Sequence, residues 1–577
     1  MTSPDPFSME ISRHIWESRY RAAGETDVRA SWQRVATAIA AAESRGRDHW
    51  ATHFFSLLDN FRFLPGGRIL AGAGTGHRVT LFNCFVMGDI ADDLEHIFDA
   101  LKEGALTMQH GGGVGYDFST LRPAGMVAAA TGSIASGPVS FMRIWDAMCA
   151  TMLSTGARRG AMMATLRCDH PDIETFVDAK RDPALLRHFN LSVLVSDAFM
   201  AAVADDGDWP LLFPGLADAR TLKARDLWQR ILRAAYDTAE PGVLFVDTIN
   251  RDNTLADHET LTATNPCGEI PLPAYGACDL GSLNLTAFVT SPFAAGARLD
   301  LDALAESARL AVRFLDNVID VSRYPLPAQE EQARLKRRVG LGITGLADAL
   351  VLLGLRYDSA AARSLAARAM QAVRDAAYRA SIDLAREKGA FPAFARDAFL
   401  ASGFARRLPA DIREAIAAHG LRNSHLLAIA PAGTISLLAN NCSSGIEPVF
   451  AAAAERRVLG TDGRYRTHPV VDHACQLWRQ QDRTGTPPAF VEARQLDPLA
   501  HLYMQAALQP YVDNAISKTI NVAADMPFER FADLYQQAHA LGLKGCTVFR
   551  PNAVTGAILS APAAERVQCC GIEREAD

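Results

Sequence analysis

An α/β architecture is predicted for this chain from three observations: short apolar runs alternate with helical stretches, the helices carry start and stop signals, and glycine-rich or proline-rich segments separate the two. Ser31 is expected to cap a helix from Trp32 to about Ser44, and Phe54, Phe55, Leu57 and Leu58 mark a second helical stretch. Residues 1–60 therefore read as an N-terminal helical segment. The cluster from Pro65 to Gly76 breaks that pattern and opens the main region, expected over 61–555. Within it, Gly242-Val243-Leu244-Phe245-Val246 and Leu426-Leu427-Ala428-Ile429-Ala430 read as buried strands leading into loops. Asp358 to Lys388 reads as a long alanine-rich helix, with Leu365, Met370, Val373 and Ala377 on one face and Gly389 as its stop. Strands alternating with helices suggest an α/β barrel. Residues 556–577 read as a flexible polar tail.

Composition narrows the function classes. With 577 residues, 49% of them hydrophobic, the chain can bury a large core, as several domains or one large barrel with appendages. A formal net charge of -7 argues against a nucleic-acid backbone binder, which would carry a basic excess. Ten cysteines without framework spacing, and a Met1-Thr2-Ser3-Pro4-Asp5-Pro6 start without an apolar core, point to a reducing cytoplasm. No apolar run approaches the roughly 18 residues of a membrane span. A soluble cytoplasmic protein is expected.

Chemistry concentrates around Asn265-Pro266-Cys267-Gly268-Glu269, with Cys278 downstream in Gly276-Ala277-Cys278-Asp279-Leu280-Gly281-Ser282. A lone buried cysteine is usually a small apolar side chain. Here Asn265 and Glu269 would be costly to bury without partners. A hydrolase-type thiolate would want a nearby histidine, and only His258 stands within ten residues. Zinc would want closely spaced ligands, and no Cys-x-x-Cys accompanies the pair, so no metal site is expected. There remains chemistry in which a thiol carries a hydrogen atom or two electrons beside a proton-moving carboxylate and an orienting amide.

This loop resembles the active-site loop of ribonucleotide reductases, and other segments match that family in order. Leu81-Phe82-Asn83-Cys84-Phe85-Val86 is similar to the segment holding the first reducing cysteine, and Gln109 to Ser119 to the glycine-rich stretch. Ala135 to Met142 and Arg158-Arg159-Gly160-Ala161-Met162 resemble the loops that communicate effector identity. Pro431-Ala432-Gly433-Thr434-Ile435-Ser436 and Ser443-Ser444-Gly445-Ile446-Glu447-Pro448 resemble the phosphate-binding segment and its continuation. The resemblance spans roughly residues 60 to 555. It implies a ten-stranded α/β barrel whose central finger loop carries Cys267 as the radical cysteine, Cys84 and Cys278 as the reducing pair, Glu269 as proton acceptor and Asn265 as orienting amide.

The resemblance also implies the remaining parts. Arg68, Asn83, Gly112, Gly113, Pro266, Gly268 and Pro431 to Ser436 (Pro431, Ala432, Gly433, Thr434, Ile435, Ser436) are expected to bind substrate, and Arg158, Arg159 and Gly160 to form the effector loop. Small residues at Pro431 to Ser436 would let backbone N–H groups approach an anion at a helix start. The Gly111 to Gly115 run lacks the downstream acid of a dinucleotide fingerprint and is assigned to substrate. Cys569 and Cys570 in the tail are expected to relay electrons from a thioredoxin-type or glutaredoxin-type reductant, although adjacent cysteines depart from the family's separated spacing. A late tyrosine pair, an N-terminal ATP cone and a glycyl-radical Gly-Tyr context are not visible, whereas Lys544-Gly545-Cys546-Thr547-Val548-Phe549-Arg550 resembles the adenosylcobalamin-dependent class. The implied activity is adenosylcobalamin-dependent reduction of ribonucleotides, diphosphates by preference, by a homodimer with a dNTP or ATP specificity effector. Two alternatives stay open: a tyrosyl-class large subunit, or a catalytically silent nucleotide-binding regulator on the same fold.

Overall fold

The computed structural model describes residues 5–127, 132–154, 158–159, 161–216, 218–459, 465–551 and 559–560. The chain adopts a mixed α/β architecture with a helical N-terminal part. That part contains the helices Val28–Ala40 and Arg47–Leu58. The first begins earlier than expected, because Asp27, extended at φ -150°, accepts the N–H of Ala30 and is the cap. Ser31 instead lies inside the helix, where its hydroxyl joins the Trp16 indole at 2.8 Å to Glu25 at 2.6 Å.

Ten strands form one sheet. In chain order they are β1 (Phe63–Pro65), β2 (Cys84–Val86), β3 (Gly113–Asp117), β4 (Met162–Arg167), β5 (Phe189–Val195), β6 (Gly242–Phe245), β7 (Ala277–Asn284), β8 (Val339–Thr344), β9 (Thr519–Asn521) and β10 (Gly545–Phe549). β2 to β6 run parallel in sequence order, which requires crossovers, and helices such as Leu94–Gln109 and Ala224–Thr238 supply them. β7 and β8 form a second parallel pair, and β9 and β10 a third. The groups meet antiparallel, β7 against β2 and β10 against β6. The run Leu426 to Ala430, expected as a strand, pairs through isolated parallel bridges, Leu427 to Leu341 of β8 and Ile429 to Ile516.

Register decides which residues share an end of the sheet. Cys84 opens β2 opposite Cys278, and β7 continues past it until Gly281 lies opposite Pro65. Gly66, whose N–H reaches the Leu280 carbonyl at 2.8 Å, and Asn83 therefore lie toward the Asn284 end of β7. The long helix Ala360–Lys388 is capped by Ser359, ends at Gly389 and packs on the helix Leu301–Val321 as scaffold. Among the described residues, no helix is long and apolar enough to cross a membrane.

Candidate functional site

The loop Asn265 to Ile270 is the tip of a short hairpin whose arms, Ala263–Thr264 and Pro271–Leu272, pair antiparallel. Three bonds shape the tip. The Asn265 N–H reaches the Ile270 carbonyl at 3.2 Å, the Asn265 side-chain oxygen accepts the Ile270 N–H at 3.0 Å, and the Gly268 N–H donates to the Asn265 carbonyl at 3.1 Å. Gly268 turns the chain at φ +85°, a region that glycine enters without a Cβ penalty.

The sheet receives this finger through contacts that the motifs did not announce. A Cβ on Gly115 of β3 would collide with the Thr264 carbonyl oxygen, so only glycine admits the hairpin there. Asn190 of β5 donates its side-chain amide to the Pro266 carbonyl at 2.8 Å, and the Ala515 N–H donates to the Glu269 carbonyl at 2.9 Å. Thr165 of β4 holds the hairpin's root through the Thr262 carbonyl at 2.8 Å. For Asn190 a signal existed: an amide in the run Phe189 to Val195, where Ser192 is the one other polar residue.

Around the tip the expected catalytic set converges. Asn265 Nδ2 donates to Cys84 Sγ at 3.1 Å, and Cys84 Sγ lies 3.9 Å from Glu269 Oε1. Cys84 and Cys278 are directly opposed and both reduced. Antiparallel partners lie about 4.5–5.5 Å apart at Cα, within the roughly 4.4–6.8 Å that a disulfide spans. Asn265, Glu269, Cys84 and Cys278 are buried, whereas Cys267 is half-buried.

Burial sets the protonation states. It pushes Glu269 up to about 7, against hydrogen bonds from Asn265, its own backbone and Cys84. Its Oε2 is buried without a hydrogen-bond partner among the described residues. Burial first, then Glu269 and the neighbouring cysteines, drive Cys84 well above the usual thiol range. Cys278 is raised by burial and by Asp279, against the Arg338 guanidinium. Both members of the pair are thus held as neutral thiols, able to give protons, beside a carboxyl that titrates near neutrality.

The other expected residues fall into separate groups. Gly112 packs on Phe85 and Thr107, the Gly113 N–H donates to the Asn83 carbonyl at 2.8 Å, and the Asn83 side chain lies against Gly66. Arg68 packs its guanidinium on Gly111, which has φ +100°, and so stands at the glycine-rich turn. Pro431 to Ser436 leads into the helix Thr434–Leu438, with Gly433 at its start; Ser436 Oγ closes that turn on the Gly433 carbonyl at 2.8 Å, and the Ala432 N–H donates to Ser444 Oγ at 2.8 Å. Arg158–Arg159 pairs antiparallel with Leu153–Ser154, while Gly160, Cys569 and Cys570 lie outside the described residues.

Two family models together span most of the chain. Residues 82–549 match the family model described as "Ribonucleotide reductase, barrel domain", and residues 7–78 match "Ribonucleotide reductase, all-alpha domain". The chain is 42% identical over 559 residues to a vitamin B12-dependent ribonucleoside-diphosphate reductase of Mycobacterium tuberculosis (strain CDC 1551 / Oshkosh), covering 92% of this chain and 77% of the relative. It is 37% identical over 537 residues to a protein of the same name from Thermoplasma acidophilum, covering 90% and 67%. A vitamin B12-dependent ribonucleotide reductase of Streptomyces clavuligerus is 28% identical over 569 residues, covering 86% and 59%.

Proposed function

The chain belongs to the ribonucleotide reductase family, and on that premise we propose that it reduces ribonucleoside diphosphates to 2′-deoxyribonucleotides by a thiyl-radical reaction dependent on adenosylcobalamin. One observation carries the reading: a half-buried Cys267 at the finger tip, with Asn265, Glu269, Cys84 and Cys278 buried around it. A cobalamin requirement is supported by the names of the relatives. The half-buried thiol fits such a cofactor, since one side stays approachable while the reducing pair is shielded. Bound adenosylcobalamin would supply, by breaking its carbon–cobalt bond, the organic radical that takes the hydrogen atom of a thiol.

The chain's own residues then divide the work. Cys267, as a thiyl, abstracts the ribose 3′-hydrogen, the exchange being near balance because S–H and activated C–H bonds are comparable in strength. Glu269, whose unpartnered Oε2 is available to a hydroxyl, accepts the 3′-hydroxyl proton. Asn265 orients the ribose hydroxyls. The 2′-hydroxyl leaves as water with a proton from the Cys84 or Cys278 thiol, two electrons pass to the sugar as those sulfurs join in a disulfide, and Cys267, a thiol since the abstraction, returns its hydrogen atom to C3′ and is again a thiyl. Enclosure keeps the radical from water.

The supporting parts belong to the same reading. The bridges at Leu427 and Ile429 support closure of the parallel groups into a ten-stranded barrel around the finger. Pro431 to Ser436 takes the phosphates, with Arg68, Asn83, Gly112 and Gly113 on the substrate's path. Arg158, Arg159 and Gly160 transmit a dNTP or ATP effector, and Cys569 and Cys570 relay electrons from a thioredoxin-type or glutaredoxin-type reductant. An apolar stripe of Leu94, Phe98 and Leu106, 62%, 50% and 38% exposed on one helix, supports a homodimer. The decisive experiment is reduction of CDP and CTP with adenosylcobalamin and dithiothreitol beside Cys267→Ala. Turnover is expected in the wild type alone, and turnover persisting in the variant would sink the mechanism.

A further inference from the structure

Asp348 lies outside every motif that marks the site. It is fully buried in the helix Leu346–Leu352, directly after β8, and its two carboxylate oxygens hold different parts of the chain. Oδ2 accepts the N–H of Ser443 at 2.5 Å, Oδ1 accepts the N–H of Ala474 at 2.9 Å, and the Asp348 N–H donates to Ser443 Oγ at 3.2 Å. The same loop is pinned from β8: the Gly345 N–H and Thr344 Oγ1 donate to the Ser443 carbonyl at 2.7 and 3.0 Å, and the Gly445 N–H donates to Thr344 Oγ1 at 3.0 Å. One residue along, Ser444 Oγ accepts the Ala432 N–H at 2.8 Å. The loop Ser443 to Gly445 is thus the seat on which Pro431 to Gly433 rests.

This carboxylate is held without a cation. Neither Asp348 nor Asp472 forms a salt bridge with an arginine or lysine among the described residues. Asp472 caps the helix His473–Arg479 by accepting the Cys475 N–H at 3.0 Å, and it is driven well above the usual carboxylate range by burial and then by Asp348. A buried carboxyl group that accepts two backbone N–H groups is committed to that geometry, because losing the acceptor leaves buried donors unpaired.

We propose that Asp348 is a positioning residue for the phosphate end of the substrate: it clamps the Ser443 to Gly445 loop so that the Pro431 to Ser436 turn keeps its N–H groups aimed at the diphosphate. The inference rests on assigning that turn to phosphate. Asp348→Asn tests it, since the amide keeps one acceptor and turns an N–H group toward a backbone donor. The KM for CDP is expected to rise about tenfold, as loss of one hydrogen bond would produce, with kcat within about twofold of wild type. Binding of cytidine, which lacks phosphates, should not change. Asp472→Asn keeps the helix cap and should leave KM near wild type. Ser444→Ala, which removes only the acceptor for Ala432, should shift KM in the same direction as Asp348→Asn and serves if that variant folds poorly. An unchanged KM for CDP in Asp348→Asn and Ser444→Ala, or a fall in kcat at constant KM, overturns the proposal. Thr434→Ala separates the two readings: if it raises KM while the other variants do not, the clamp alone fails, and if it too leaves KM unchanged, the phosphate assignment fails with it.

Discussion

Where the finger meets β2, Glu269 keeps a buried oxygen without a partner among the described residues and Cys84 sits under an amide donor; where the Ser443 loop meets β8, Asp348 uses both oxygens on backbone N–H groups. Both places bury a carboxyl group against the same sheet, yet one leaves an oxygen open and the other engages both. The difference suits two tasks. A group that must exchange protons needs a vacant oxygen and an elevated affinity for the proton, while a group that must hold a loop needs both oxygens engaged.

The largest expected effect comes from closing the vacancy at the finger. Glu269→Gln removes the proposed base and should lower kcat by about 10²- to 10⁴-fold, the range for a lost general base. Because burial lifts Glu269 to about 7, the wild-type rate should climb as pH rises through that value and flatten above it. The Gln variant should lose that limb. Stability runs the other way: a carboxyl raised from 4.5 to about 7 favours its neutral form in the folded state, so its contribution is present below pH 4.5 and lost as pH rises through 7. The Gln variant should therefore gain in Tm relative to wild type above pH 7, and the gain should shrink on acidification. Equal pH profiles for the two proteins would break the contrast.

A smaller effect is expected from moving the finger without altering its chemistry. Gly115→Ala puts a methyl against the Thr264 carbonyl and should displace the hairpin. Misplacement by about 1 Å costs on the order of 10²-fold in rate, with KM for CDP little changed, which steady-state kinetics would read. At the other carboxyl the order reverses: Asp348→Asn should act on KM, and Thr434→Ala, the smallest change, should raise KM about fivefold, equivalent to one neutral hydrogen bond. A Thr434 variant that lowered kcat at constant KM would mean that the two regions are not separable into chemistry and binding.

Much of the finger was legible because its residues are contiguous: Asn265, Cys267 and Glu269 must sit together whatever the fold, and Gly268 announces the turn. The clamp was not. Asp348 lies in an apolar helix, and its partners Ser443 and Ala474 are backbone N–H groups distant in sequence, which no side-chain pattern can encode. Gly115 stood in the glycine-rich stretch, but the reason for it is the Thr264 carbonyl of a distant hairpin. The first long helix teaches the same lesson locally. Periodicity located it, but two cap-competent residues precede its apolar face, and Asp27 takes the cap because Ser31 is drawn inward to Trp16 and Glu25.

By itself the amino-acid sequence determined the α/β class, the helical N-terminal part, the family and the cluster of reactive residue types, because these follow from periodicity and contiguous motifs. Tertiary structure alone decided that Cys84 and Cys278 stand opposite each other, that Glu269 is buried enough to hold its proton near neutrality, and that Asp348 secures the loop behind Pro431 to Gly433. The physical reason is common to all three: proton affinity and hydrogen-bond geometry depend on what surrounds a side chain, and those surroundings are assembled from strands and loops far apart in the chain.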